Sequence, residues 1–183
     1  MKTNMKRATK IIIFLLIVVA FSTGAFLQRS EQVSNKQENM KITSSAFDPE
    51  QSIPSKYTCD GKDVNPPLRF EDVPAQAGSL VLVVDDPDAP AGTWLHWTLW
   101  NIDSELNKIE EDSVPEGAGE GMTNFGNTGY GGPCPPGKHR YFFKLYALDT
   151  KLDLSSSAKV KHLENAMEDN IIEKAKLVGI YER

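Results

Sequence analysis

The feature that most constrains this chain is a Gly/Pro-rich loop that runs directly into an apolar strand. Residues 129–137, GYGGPCPPG, precede HRYFFKLYAL at His139–Leu148. Prolines fix the backbone φ angle and glycines permit close approach, so such a loop is held in few conformations. Rigid loops on a scaffold commonly carry function. The pattern predicts a binding site where loop and strand meet, with His139 and Tyr141 on one face and Arg140, structural or paired at the surface, on the other.

A second polar segment follows another apolar strand. The run VLVV leads into Asp86 and Asp88 of DPDAP, and TWLHWTLWN comes next. Strand alternation predicts one face with Trp94, His96, Thr98 and Trp100 and an opposite face with Leu95, Trp97 and Leu99. For each Asp taken alone, a role in forming the turn explains its presence as well as a role in a binding site does. A lone His in a strand is most often a core residue, but two histidines beside such loops favour a site.

These segments resemble the phosphatidylethanolamine-binding protein (PEBP) family, which includes the Raf kinase inhibitor proteins. DPDAP, LHW, GGPCPPGKHRY and LVGIYER are similar to the bacterial and archaeal branch in type and order. The resemblance covers residues 40–183 and implies a mainly β fold, an antiparallel two-sheet β-sandwich with peripheral helices. It also implies a small ligand-binding pocket at the sheet end, with these residues: Asp86, Asp88, Trp94, His96, Gly131, Pro133, His139 and Tyr141.

The first 25 residues are typical of a secretory signal. Four basic residues and no acid stand within the first ten positions, and an apolar run and small residues follow. A membrane-spanning helix needs about 20 apolar residues, and Ile11 to Leu27 gives 17. An uncleaved N-terminal membrane anchor is therefore the alternative to a cleaved signal peptide. Residues 26–39 are polar and without period, which predicts a flexible tether. Either reading places the domain outside the cytoplasm, in the periplasm or the medium, or anchored to the membrane.

Size and charge limit the remaining classes. Residues 40–183 suit one domain with its own core. Beyond residue 25 the chain has 16 basic and 25 acidic residues, a formal charge of −9. Nucleic acid is therefore excluded as a partner, because phosphate backbones are bound by basic surfaces. Any anion binding must be local to a pocket.

The chain has two cysteines, Cys59 and Cys134. An even pair in an exported protein predicts a disulfide, since oxidising compartments allow such bonds to persist. Two buried free thiols are the alternative. A zinc site is weakly supported because suitably spaced partners are missing.

Most other segments are predicted as strands. β-Branched and aromatic content bounded by turn residues favours strands at 40–44, 79–85, 93–101, 139–148 and 177–181. Apolar residues at three- and four-residue steps from Val160 to Ala175 predict one C-terminal amphipathic helix over 158–176, packed on a sheet. No alternation of strands and helices is present, so a doubly wound sheet is excluded.

The candidate chemistry favours binding over catalysis. Imidazole N–H groups and loop amides suit phosphate oxygens, while the Asp pair suits an ammonium group or orients the imidazoles. Phe125 and Tyr130 are candidates for a pocket rim or for packing under the loop. A metal site of His96, His139 and the two Asp residues lacks diagnostic spacing, and no GxSxG elbow is present.

We therefore expect an exported, non-enzymatic module that binds a small phosphate-containing or other anionic ligand without a cofactor. The alternative is a protease inhibitor or a regulator of envelope signalling that acts through protein partners. Prokaryotic members of the resembled family suggest a homodimer.

Overall fold

The structure is a computed structural model that describes residues 39–183. The predicted leader, residues 1–25, and the tether up to residue 38 lie outside the described residues. Within residues 39–183 no helix is both long enough and apolar enough to cross a membrane.

The described part of the chain is mainly β. Its strands are β1 (Lys41–Ser44), β2 (Leu68–Glu71), β3 (Ser79–Asp86), β4 (Trp94–Ile102), β5 (Lys108–Ile109), β6 (Gly119–Glu120), β7 (His139–Leu148) and β8 (Ile171–Tyr181). They form a three-stranded sheet in the order β1-β2-β5 and a five-stranded sheet in the order β6-β4-β3-β7-β8. All strand pairs in the two sheets are antiparallel. The predicted antiparallel two-sheet fold is confirmed.

The core lies on both faces of β3, whose eight residues are all buried. Leu80, Leu82 and Val84 face the smaller sheet and join Phe143 and Leu145 of β7. The alternate residues face the other way, toward helix α1 (Val160–Met167). A strand covered on both faces reads as a continuous apolar run, which is why this segment was recognisable from the sequence.

The predicted helix over 158–176 is correct only in its first half. Helix α1 ends at Met167, a 3-10 turn follows at Glu168–Asn170, and the chain then enters β8. Helix α1 buries Leu163 and Met167 as predicted.

The second half forms a strand because it completes the large sheet. Strand β8 pairs with β7 from Leu148↔Ile171 to His139↔Tyr181, which satisfies the outer edge of β7. Residues Glu173, Leu177 and Gly179 alternate on the buried face, and Ala175 lies on the same face. The spacing of Ile171 and Ala175 fits one helical turn as well as two strand steps, so periodicity alone could not decide between them.

A tight approach at Gly179 provides a test of this packing. A Cβ atom at Gly179 would lie 2.5 Å from Cγ1 of Ile53 and 2.8 Å from Cε2 of Phe47. We expect Gly179→Ala to lower the free energy of unfolding by about 1–3 kcal/mol, the usual range for overpacking. Urea unfolding measures the change.

Gly137→Ala is the matched control, because a Cβ at Gly137 meets nothing within 4 Å. The control should stay within about 0.5 kcal/mol of the parent protein. Equal stability of the two variants would contradict the close packing of β8 against Phe47 and Ile53.

Candidate functional site

The site forms where three strands of the large sheet meet at one end. Strand β3 ends at Asp86, and its two neighbours, β4 and β7, begin at Trp94 and His139. Because both neighbours run antiparallel to β3, their first residues lie beside its last. This topology brings together polar residues that are more than 50 positions apart in the sequence.

A cavity of about 210 Å³ opens at this end. We call it the histidine cavity. The residues that line it are Asp86, Ala89, Pro90, Trp94, His96, Phe125, Cys134, Pro135, Pro136, His139 and Tyr141. Five of the eight residues proposed from the sequence are among them. The sequence does not single out Ala89, Pro90, Pro135 or Pro136 as site residues, although it predicts a site in the Pro-rich segments that contain them.

Asp86 and His139 form a buried pair in the wall of the cavity. Nδ1 of His139 donates a hydrogen bond to Oδ2 of Asp86 over 2.7 Å. The other carboxylate oxygen of Asp86 accepts the backbone N–H of Asp88 at 2.8 Å. The aspartate side chain is 5% exposed and the histidine side chain 11%. The contact fixes the imidazole through Nδ1, so Nε2 is the ring nitrogen left outside that hydrogen bond.

His96 reaches the same cavity because β4 contains a bulge. The pairing of β3 with β4 shifts between Val84↔Trp97 and Asp85↔Leu95, which leaves His96 as the extra residue. Bulges of this kind re-aim side chains next to functional sites.

The bulge corrects the predicted faces of this strand. Leu95 packs with Trp100 on the helix side of the sheet, whereas Trp97 and Leu99 pack between the sheets. The prediction that His96 and Trp100 share a face, with Leu95, Trp97 and Leu99 opposite, is therefore wrong. The inserted residue reverses the strict alternation on which the prediction depended.

Burial is the main influence on the pKa of His96. Nδ1 of His96 donates to the carbonyl oxygen of Gly131 over 2.6 Å. Desolvation is the largest influence and lowers the pKa of His96, against the opposing effects of the Gly131 hydrogen bond and of Asp86. The neutral ring therefore presents an unprotonated Nε2.

Aromatic rings complete the cavity around His96. The rings of Tyr141 and Phe125 meet the imidazole edge to face, with centroids 5.2 and 5.4 Å away. Burial raises the pKa of Tyr141 well above its usual range, so its hydroxyl stays protonated and can donate. Phe125 is 46% exposed, which places it at the rim. Tyr130 instead packs against Trp97 and donates to the carbonyl of Tyr57, so it supports the loop.

The lining of the cavity does not include three of the predicted residues, Asp88, Gly131 and Pro133. The carboxylate of Asp88 accepts Nε and Nη2 of Arg140 at 2.9 and 2.7 Å and the backbone N–H of Arg140 at 3.0 Å. The hydrogen bond from Arg140 lowers the pKa of Asp88 to about 2. Arg140 is exposed and paired at the surface, as predicted. The pair joins the turn after β3 to the start of β7 and so helps to hold Asp86 beside His139.

The loop that closes the cavity is anchored at several points. Cys59 and Cys134 form a disulfide with a Cα–Cα distance of 5.4 Å, which confirms the predicted pairing. The N–H of Cys59 donates to the carbonyl of Pro133, and the N–H of Gly132 donates to Asp63. On the chain-entropy model, a crosslink across 75 residues contributes on the order of 4 kcal/mol to stability. These contacts tie the loop of the cavity wall to Cys59 and Asp63.

The arrangement does not suggest a metal centre. Among residues 39–183, no group of three or more His, Cys, Asp or Glu side chains could hold a metal ion. The donors of the cavity are instead arranged as separate hydrogen-bonding groups around a small opening.

Two antiparallel sheets with an aspartate–histidine cavity at the end of the central strands define a recognisable class of small β-sandwich protein. Residues 43–182 match the family described as phosphatidylethanolamine-binding protein. The chain belongs to this family.

Relatives and solved structures agree with this assignment. The chain is 46% identical over 150 residues to a UPF0098 protein of Methanothermobacter thermautotrophicus, which covers 79% of this chain and 99% of the relative. A UPF0098 protein of Pyrococcus abyssi is 49% identical over 156 residues, covering 80% and 87%.

Two crystal structures share the fold. A phosphatidylethanolamine-binding protein homologue from Chlamydia trachomatis superposes with a TM-score of 0.76 at 42% identity, covering 79% of this chain and 97% of that one. YbcL of E. coli, described as a member of the mammalian PEBP family, gives a TM-score of 0.75 at 30% identity, covering 79% and 98%.

The low pKa of His96 predicts a pH-dependent stability. In the unfolded chain the ring has an ordinary pKa near 6.5, whereas burial lowers the pKa in the folded protein. The unfolded state therefore binds more protons below pH ~6.5, and the free energy of unfolding falls as the pH drops through that window. We expect His96→Gln to reduce this slope in urea unfolding curves recorded at a series of pH values.

His162→Gln is the control, since His162 is exposed on α1, and it should leave the slope unchanged. A folded-state NMR titration of His96 above 6.5 would contradict the assignment.

Proposed function

We propose that this protein is an exported binding module whose histidine cavity takes a small phosphate-containing or other anionic ligand. The observation that carries the proposal is the pair of imidazoles, each tied through Nδ1 to a protein oxygen and each lining one cavity through the rest of its ring. Two such rings and the hydroxyl of Tyr141 supply hydrogen-bonding groups to one small volume. Groups fixed before a ligand arrives lose little conformational freedom on binding.

The imidazolium form of His139 would donate Nδ1–H to Asp86 and Nε2–H to an anion oxygen. Such charge-assisted hydrogen bonds are the strong ones. His96 contributes differently, because its ring is neutral when the cavity is free. An anion with its own P–OH can donate to Nε2 of His96. A dianion has no such proton, so its binding requires Nε2 of His96 to take up a proton from the solvent.

The size of the cavity favours a head group over a whole lipid. A volume of about 210 Å³ lies below the roughly 300–1,000 Å³ of typical drug-sized ligand pockets. Phosphoethanolamine, which carries both charges, fits this chemistry. The aromatic faces of Trp94 and Phe125 at the opening can meet its ammonium group.

A binding function without turnover fits the side chains present. Both cysteines are joined in the disulfide, so neither offers a thiolate nucleophile. The buried carboxylate of Asp86 is already engaged by two donors, which suits orientation of His139.

Export is supported by the basic and apolar N-terminal sequence together with the disulfide. We expect cell fractionation to recover the protein outside the cytoplasm, either free or with membranes, and non-reducing peptide mapping to yield one linked pair of Cys59 and Cys134 peptides. Soluble full-length chain in the cytoplasm, with both thiols open to alkylation after unfolding, would contradict this part of the proposal.

Calorimetry with phosphoethanolamine tests the ligand class. We expect His96→Ala and His139→Ala each to weaken binding by about 1.5–3 kcal/mol, the range for hydrogen bonds to charged groups. Titrations in buffers of different ionisation enthalpy measure the protons taken up when the dianion binds. We expect proton uptake by the parent protein and a smaller uptake by His96→Ala, because that variant lacks the ring that accepts a proton.

The matched control is His162→Ala, which removes the third histidine of the chain from an exposed helix position. Circular dichroism verifies that all three variants fold. Equal affinity in the parent protein and in the two cavity variants would show that the imidazoles do not bind the anion.

A further inference from the structure

A second and larger cavity lies at the edge of the five-stranded sheet, where β1 passes β8. We call it the edge groove. Its volume is about 610 Å³. The residues that line it are Met40, Lys41, Ile42, Thr43, Pro49, Lys144, Tyr146, Lys174, Ala175 and Lys176. None of them lines the histidine cavity, so the two are separate sites.

The charge of the edge groove is opposite to that of the chain. Four of its ten lining residues are lysines and none is a carboxylate, although the whole sequence has 25 acidic and 20 basic residues. Charge of one sign around a concave surface raises the local concentration of the opposite charge. The groove therefore favours an anionic occupant.

Two of the four lysines have no acidic partner in the part of the chain that the structure describes. Lys41 lies 3.9 Å from Asp72, and Lys144 pairs with Asp85. Lys174 and Lys176 appear in no such ion pair among residues 39–183.

The two unpaired ammonium groups lie over aromatic rings of the neighbouring strand. Nζ of Lys174 is 6.0 Å from the ring centroid of Tyr146, and Nζ of Lys176 is 5.8 Å from that of Phe142. Both lysines occupy alternate positions of β8 and point to the same face. They form a pair of positive charges beside the groove.

Apart from Thr43, the rest of the groove is apolar. Met40 and Ile42 are buried members of the core between the sheets, and Ala175 packs against that core. Pro49 and the ring of Tyr146 complete the wall. A mainly apolar concavity of this volume with a few convergent charged groups is the usual composition of a small-molecule site.

We propose that the edge groove binds an anionic amphiphile, with its apolar body against Met40, Ile42 and Tyr146 and its acidic head group between Lys174 and Lys176. The occupant differs in class from the small polar anion of the histidine cavity. The proposal does not depend on that cavity, and each can fail without the other.

Edge lysines have a second physical role, because charged side chains on an edge strand discourage association with another sheet edge. That role alone requires no apolar ligand and no preference for the sign of its charge. A pair of amphiphiles with opposite head groups separates the two explanations.

The test is calorimetric titration of the full-length protein with laurate. Dodecyltrimethylammonium serves as the cationic counterpart, and both amphiphiles are kept below the concentrations at which they form micelles. We expect laurate to bind and dodecyltrimethylammonium to bind much more weakly. Lys174→Gln/Lys176→Gln should weaken laurate binding at least about fivefold, the effect of losing two exposed charge pairs. The matched control, Lys151→Gln/Lys161→Gln, removes two exposed lysines that do not line the groove and should leave the affinity unchanged.

His139→Ala separates this site from the histidine cavity. Laurate affinity should survive that substitution, and added phosphoethanolamine should not displace laurate. The proposal would be overturned if laurate did not bind, or if the two amphiphiles bound equally well. It would also be overturned if both lysine double variants lost laurate affinity equally, or if His139→Ala lost it.

Discussion

The histidine cavity depends on the register in which β3 pairs with β4 and β7. The pairing with β7 runs from Ser79↔Leu148 to Asp85↔Phe142, which places the end of β3 beside the start of β7. A slip of one residue would turn every side chain of β3 to the opposite face. Leu80, Leu82 and Val84 would then leave the core between the sheets, and Asp86 would leave His139. Burial of apolar side chains therefore fixes the position of the polar ones.

The long, buried elements could be predicted from the sequence alone. Strand β7 has the predicted bounds, and β3 extends one residue further than predicted, because continuous apolar runs between turn residues leave little choice of structure. The two-residue strands β5 and β6 could not be found, since they have no period of their own. The sequence predicts a helix at the start of β8, because the local spacing of apolar residues fits a helix as well as a strand. Only the pairing with β7 decides between the two.

The sequence predicts most of the residues of the site, but it does not predict how all of them are arranged. The Gly/Pro loops and the residue types beside them identified the two segments that meet, and a single pair of cysteines left one intramolecular disulfide to consider. The bulge at His96 has no local sequence signal, because it arises from the pairing of β4 with β3. The sequence also predicts Asp88 among the pocket residues, and only the structure shows that its carboxylate is taken by Arg140.

Two consecutive carboxylates at the end of β3 point to opposite faces of the sheet and pair with residues of different cavities. Successive strand residues point to opposite faces, so Asp86 pairs with His139 while Asp85 pairs with Lys144, a residue of the edge groove. Burial raises the pKa of Asp85 despite its lysine partner, and its Oδ1 is buried without a hydrogen-bond partner among residues 39–183. Removing Lys144 would leave that carboxylate with no compensating charge in a buried position, which is strongly unfavourable. Lys144 is thus held to the sheet, and Lys174 and Lys176 are the groove lysines whose charges remain available to an incoming anion.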